Sequence, residues 1–148
     1  MKTILTAFVA SLALAAPAIA DLVTKPSPKG VGETMDALEA AVTGAGATVF
    51  ARVDHAAGAE SVGMELPSSQ LLIFGNPKLG TPAMQADPLA GLYLPLKVLV
   101  YADGSGATQV TYEAPTEMLG GLDIPADAQF LKVMTGALDK LTGAAVGG

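Results

Sequence analysis

Between Val31 and Ala45 the apolar positions Val31, Met35, Leu38, Val42 and Ala45 recur at steps of four, three, four and three. That spacing lays one apolar stripe along an α-helix. Glu33 and Asp36 stand in its first turns, where the helix dipole favours carboxylates, and Gly44 and Gly46 supply a stop. The period then changes to two. Thr48–Asp54 reads as a strand with Val49, Ala51 and Val53 on one face and Thr48, Phe50 and Arg52 on the other. The Ala-rich stretch His55–Gly63 predicts a helix of two turns. Gln70–Phe74 is an unbroken apolar run bounded by turn residues, which predicts a central strand covered on both faces. Leu96–Tyr101 and Ala107–Tyr112 form a hairpin pattern around Asp103-Gly-Ser-Gly106. A short helical stretch follows Pro115, then a Gly-Gly break. Phe130–Leu141 predicts a last helix with Phe130, Met134, Ala137 and Leu141 on one stripe, and the terminal GAAVGG is expected to fray. Leu22-Val23-Thr24 reads as an edge strand closed by Pro26 and Pro28, which cannot donate to a ladder.

The exception to clean patterning is QLLIFGNPKLGTPAMQ, Gln70 to Gln85, where an apolar strand runs into Gly-Asn-Pro and then Gly-Thr-Pro. Gly75 and Asn76-Pro77 suit a turn, and Gly80-Thr81-Pro82 repeats the device with Thr81 placed to cap the next segment. Four prolines between Asn76 and Pro95 leave room only for short turns near Met84–Ala86 and Pro88–Leu92. A hairpin together with helical stretches predicts an α+β domain: a two-layer sandwich with a mixed or antiparallel sheet and helices packed mainly on one face.

Composition narrows the class. MKTILTAFVASLALAAPAIA, residues 1–20, has one basic residue, an apolar run and an Ala-Ile-Ala ending. This is the pattern of a cleaved secretory signal peptide, leaving one domain from Asp21 to Gly148. The expected address is the periplasm, with extracellular release as a variant, and no membrane span after cleavage. Cysteine is absent, so disulfides and thiolate chemistry are excluded. The formal charge is −6, and losing Lys2 with the signal makes it more negative. With the remaining Lys and Arg scattered, nucleic acid is not an expected partner.

Three blocks carry a family resemblance: Thr48–Glu60 (TVFARVDHAAGAE), Gln70–Gln85 and Leu94–Tyr101 (LPLKVLVY). Together they resemble the domain of unknown function 302 family. The resemblance implies a small bacterial α+β domain that tends to pair as a homodimer, and it implies no reaction. Ala83 and Tyr93 stand where that family more often has Leu and Asp. Its Arg-His pair after the last hairpin has no counterpart in Leu119–Leu122.

Candidate chemistry is sparse. His55 is the only histidine and follows Asp54 at a strand-to-helix junction. It reads either as a general base or ligand near the Asn76 loop, or as a first-turn residue behind an Asp54 N-cap. Lys97 reads either as a cation facing the Asn76–Thr81 loop or as a side chain whose stem covers apolar surface. The preferred function is a non-catalytic small-ligand or protein-binding module of the cell envelope, with Asp54, His55, Asn76, Thr81 and Lys97 as ligand-binding candidates. The first alternative is an enzyme using His55 with Asp54, Asn76 or Lys97. The second is weak copper binding through His55 and methionine, since thioethers favour Cu(I). No resident metal or cofactor is expected. If Thr48–Asp54 and Gln70–Phe74 were parallel neighbours, His55 would lie within reach of the Asn76–Thr81 loop. The segment between them exceeds the roughly dozen residues such a crossover needs.

Overall fold

The computed structural model describes residues 21–147, so the predicted signal at 1–20 lies outside the described residues. Five strands form one sheet in the order β1-β5-β4-β3-β2, and every neighbouring pair is antiparallel. They are β1 (Leu22–Ser27), β2 (Thr48–Asp54), β3 (Ser69–Gly75), β4 (Leu96–Ala102) and β5 (Thr108–Glu113). The helices are α1 (Val31–Gly44), α2 (His55–Ser61), α3 (Pro77–Ala86), α4 (Pro115–Met118) and α5 (Gln129–Val146), with a 3-10 turn at Pro88–Leu92. The architecture is the α+β sandwich that the pattern predicts.

The two long helices pack together on one face of the sheet. From α1 the buried apolar side chains are Val31, Met35, Leu38 and Val42, the predicted stripe except Ala45, which caps the helix and is exposed. From α5 they are Leu131, Met134, Leu138, Leu141 and Ala145. This stripe shares only Met134 and Leu141 with the expected one: Leu131 and Leu138 face the core, and Phe130 and Ala137 flank them partly buried. Ala145 is fully buried, and that burial holds the segment expected to fray. The sheet meets the helices with Leu72 and Phe74 of β3, Leu96, Val98 and Val100 of β4, and Val110 and Tyr112 of β5. Alternation sends Leu71, Ile73, Leu99 and Tyr101 to the opposite face, where they are only half-buried. β3 is an interior strand next to the edge, with β4 at the centre, and it is therefore covered on one face, not two. Its continuous apolar run reflects an outer face that is apolar but has no helix on it.

Two local departures shape the molecule. β2 pairs Val49 with Phe74 and Ala51 with Ile73, leaving Phe50 as the extra residue of a bulge. The bulge breaks strict alternation, so Arg52 falls on the same side as Val49 and reaches α1. Pro26 does not close β1; it sits inside this edge strand opposite Gln109, where a missing donor faces solvent.

Candidate functional site

The antiparallel register of β2 and β3 decides which candidates meet. Thr48 pairs with Gly75 and Asp54 with Gln70, so Asp54-His55 and Gly75-Asn76 lie at opposite ends of the sheet. At about 3.4 Å per residue, the five steps from Gln70 to Gly75 span about 17 Å. The parallel pairing, and with it the approach of His55 to the Asn76–Thr81 loop, is corrected. The helix α2 and the turn after it return the chain along the same sheet edge, as a hairpin with a helical connection.

At the His55 end the side chains serve the fold. Asp54 caps α2: its Oδ1 accepts from the Ala57 backbone amide at 2.9 Å, and its Oδ2 from the Gln70 side-chain Nε2 at 3.0 Å. The Ala57 bond, followed by that from Gln70, holds its carboxyl below the ordinary range. Gln70 Oε1 in turn accepts from Arg52 at 2.8 Å, and Arg52 donates to Asp36 at 2.6 Å and Glu39 at 3.2 Å. The bond to Asp36 raises the Arg52 guanidinium above its usual value. His55 is the exposed first residue of α2. The β4–β5 turn lies at this same end. Asp103 accepts there from the Ser105 hydroxyl and amide, the Ala107 amide and the Gln109 side chain. Those bonds, the Ser105 hydroxyl first, pull its carboxyl down to about 2. A shallow groove beside α2 is lined by Asp54, Glu60, Met64 and Glu65 but not His55.

At the other end is a cavity of about 330 Å³. Its floor is Leu96 of β4 and Met134 of α5, both buried. Leu79, Gly80, Thr81 and Met84 of α3 form one wall, Leu94 and Pro95 another, and Phe50 of the β2 bulge stands at the sheet edge beside Gly75. Asn76 and Thr81 contribute the polar side chains, and no charged side chain lines it.

The expected loop at Asn76–Pro95 is in fact a ten-residue helix followed by a 3-10 turn. Asn76 Oδ1 accepts from the Lys78 amide at 3.0 Å as N-cap, and Pro77 takes the first helical position, where no donor is needed. Pro82 lies inside the helix. Its fixed φ is helical and it removes one backbone bond, so Asn-Pro starts the helix and the second proline does not end it. Thr81 is therefore a wall residue rather than a cap. The side chain of Met84 lies between Gly80 and Gly91, where a Cβ would meet its Cε at 3.9 Å and its Sδ at 3.5 Å, respectively.

Of the five predicted ligand-binding residues, Asn76 and Thr81 line this cavity, while Asp54 and His55 are at the far end. Lys97 lies between the two readings made of it: its ammonium donates to the carbonyls of Tyr93 at 2.7 Å and Pro95 at 3.3 Å. It braces the segment that carries Leu94 and Pro95 without lining the cavity. An enzyme built on His55 with Asp54, Asn76 or Lys97 requires these groups in one pocket, and the fold does not bring them together. Copper binding through His55 with Met84 or Met134 meets the same separation, because both are at the cavity end; Met64 is at the His55 end but lines the groove from which His55 is absent. Sequence reasoning missed Phe50, Leu79, Leu94, Leu96 and Met134 because each looks like ordinary core. The Asn76–Thr81 motif alone pointed at the place.

A family model described as "Domain of unknown function DUF302" matches residues 23–145. A crystal structure of an uncharacterized conserved DUF302 protein from Bacillus stearothermophilus has the same fold. Its TM-score is 0.69 at 24% identity, with 84% of this chain and 94% of that one covered. Curated relatives include the fluoride-specific ion channel FluC 1 of Brucella suis biovar 1 (strain 1330) and FluC 1 of Brucella abortus biovar 1 (strain 9-941). Each is 39% identical over 117 residues, or 78% of this chain. That match spans less than half of either relative, 46% and 43% respectively. The chain belongs to the DUF302 family.

Proposed function

We propose that this DUF302 domain is a non-catalytic binding module of the bacterial cell envelope that holds a small molecule at the Asn76–Thr81 corner. One observation carries the reading: the apolar cavity of about 330 Å³ walled by α3 and the Leu94–Pro95 segment. That volume is at the lower end of the range for small-molecule sites, which are apolar with a few placed polar groups. The walls stand on a helix and on two strand ends, so the site is largely pre-formed. The test is titration of the mature chain with the apolar fluorophore N-phenyl-1-naphthylamine. Saturable binding that Gly80→Leu abolishes supports the reading, because a side chain at Gly80 grows toward Leu94 and Met84. Binding unchanged in that variant contradicts it.

The module works after export as Asp21–Gly148 in the periplasm, on the strength of the signal pattern at residues 1–20. Among the described residues no helix is long and apolar enough to cross a membrane. Mass spectrometry of a periplasmic extract should find the chain beginning at Asp21; a chain retaining Met1 and Lys2 contradicts export.

The domain pairs as a homodimer through the face of the sheet opposite α1 and α5. Support comes from an apolar row across three strands, Val53 opposite Leu71 and Leu71 opposite Leu99, with Ile73 and Tyr101 beside it. Uncovered apolar surface of this kind marks association. Light scattering at micromolar concentration should give a dimer that Leu99→Glu converts to monomer; a monomeric wild type contradicts pairing. Fluoride handling is not carried over from the FluC relatives. The cavity lining has no cation, and the chain's formal charge of −6 disfavours anions.

A further inference from the structure

The chemistry of the cavity narrows the ligand class, on the premise that the cavity is the binding site. The start of a helix normally attracts an anion because its first amides have no partner. At α3 those amides are occupied or missing. The Lys78 amide donates to Asn76 Oδ1 at 3.0 Å, and those of Leu79 and Gly80 donate to the Asn76 carbonyl at 2.9 and 3.0 Å. Pro77 has none. The neighbouring ammonium of Lys97 is engaged by the Tyr93 and Pro95 carbonyls. An anionic group entering the cavity would therefore lose its hydration and meet neither a cation nor a free helix amide to offset its charge. A cation fares no better, because no carboxylate lines the walls.

The polar groups that remain can both donate. With Oδ1 of Asn76 committed to the helix cap, its Nδ2 has two hydrogens to give, and the Thr81 hydroxyl has one. We infer that the cavity takes an uncharged, mainly apolar small molecule carrying one hydrogen-bond acceptor that meets Asn76. An alcohol, ketone or ester on either an alkyl chain or an aromatic ring meets that description.

The experiment displaces N-phenyl-1-naphthylamine from the mature chain at pH 7 with 1-decanol, 2-naphthol, decanoate or decylammonium. The two neutral probes should compete at concentrations at least tenfold lower than either ion. Whichever of them is tighter identifies the alkyl or the aromatic source. Asn76→Asp retains a capping acceptor and removes the amide donor, so it should weaken decanol several-fold while the melting temperature stays near wild type. Decanoate or decylammonium competing as well as decanol would overturn the ligand class and leave the cavity standing as a binding site. Decanol binding unaltered in Asn76→Asp would overturn the role of the amide. Failure of the fluorophore to bind saturably would remove the binding-site reading itself and the inference with it.

Discussion

The two ends of the sheet are built from opposite materials. At one end Asp54, Gln70 and Arg52 are joined in a chain of exposed hydrogen bonds, and Asp103 separately holds the β4–β5 turn through Ser105, Ala107 and Gln109. At the other, Leu79, Leu94, Leu96 and Met134 leave a dry-walled space with two polar side chains at Asn76 and Thr81. The residues that a chemist would underline, an Asp-His pair, lie at the first end, where Asp54 caps α2 and His55 is its exposed first residue. The residues that look like filler line the apolar cavity at the other end. A titratable group indicates a site when it faces a cavity; on an open helix end its hydrogen bonds explain it.

That contrast can be broken most forcefully in the floor of the cavity. Met134→Ala removes a side chain that is 1% exposed and should destabilise the fold by about 2–5 kcal/mol in urea unfolding. A loss under about 1 kcal/mol would mean that Met134 is not packed into the floor. Gly80→Leu is the next largest, and acts on binding alone. Fluorophore affinity should fall by tenfold or more, whereas the melting temperature should hold or rise, since Gly is a poor helix residue.

Acid sharpens the comparison from the other end. The folded carboxyl of Asp103 lies at about 2 against an ordinary 3.8. A group depressed in the folded state stabilises above its unfolded value, and this contribution disappears as pH falls through about 2. Asp54, lowered for the same kind of reason, acts in the same direction. Urea midpoints should therefore decline between pH 4 and pH 2, and Asp103→Asn should flatten that decline. Fluorophore affinity should stay level from pH 5 to pH 8, because the cavity has no ionisable wall. An affinity that tracks a single titration in that range would point to an ionisable group at the site. The smallest effect belongs to His55→Ala: within about 0.5 kcal/mol in stability, as for most surface changes, and none on affinity.

Much of the fold was legible because burial is periodic. The α1 stripe follows the 3.6-residue pattern, and the β4–β5 hairpin follows from Asp103-Gly-Ser-Gly106. Three features were not legible, each for a physical reason. Strand direction between β2 and β3 depends on how the chain returns after α2, and a segment long enough for a crossover is equally able to double back. The bulge at Phe50 has no composition signal, yet it re-aims Arg52 toward α1. Prolines usually argue against helix, but Pro77 stands at N1 behind an Asn cap, and Pro82 removes a single bond. The site followed the same rule. Asn76 and Thr81 were visible through a conspicuous motif, while the apolar walls come from four separate elements that only the fold assembles.

The central claim is that ligand binding belongs to the Asn76 end and not to the His55 end. The most direct measurement is a ¹⁵N–¹H correlation spectrum of the mature chain titrated with 1-decanol. The account predicts shifts confined to the amides of residues 75–84, 94, 96 and 134, with Asp54 to Ala57 unmoved. Shifts centred on Asp54 to Ala57, with residues 75–84 silent, would contradict it.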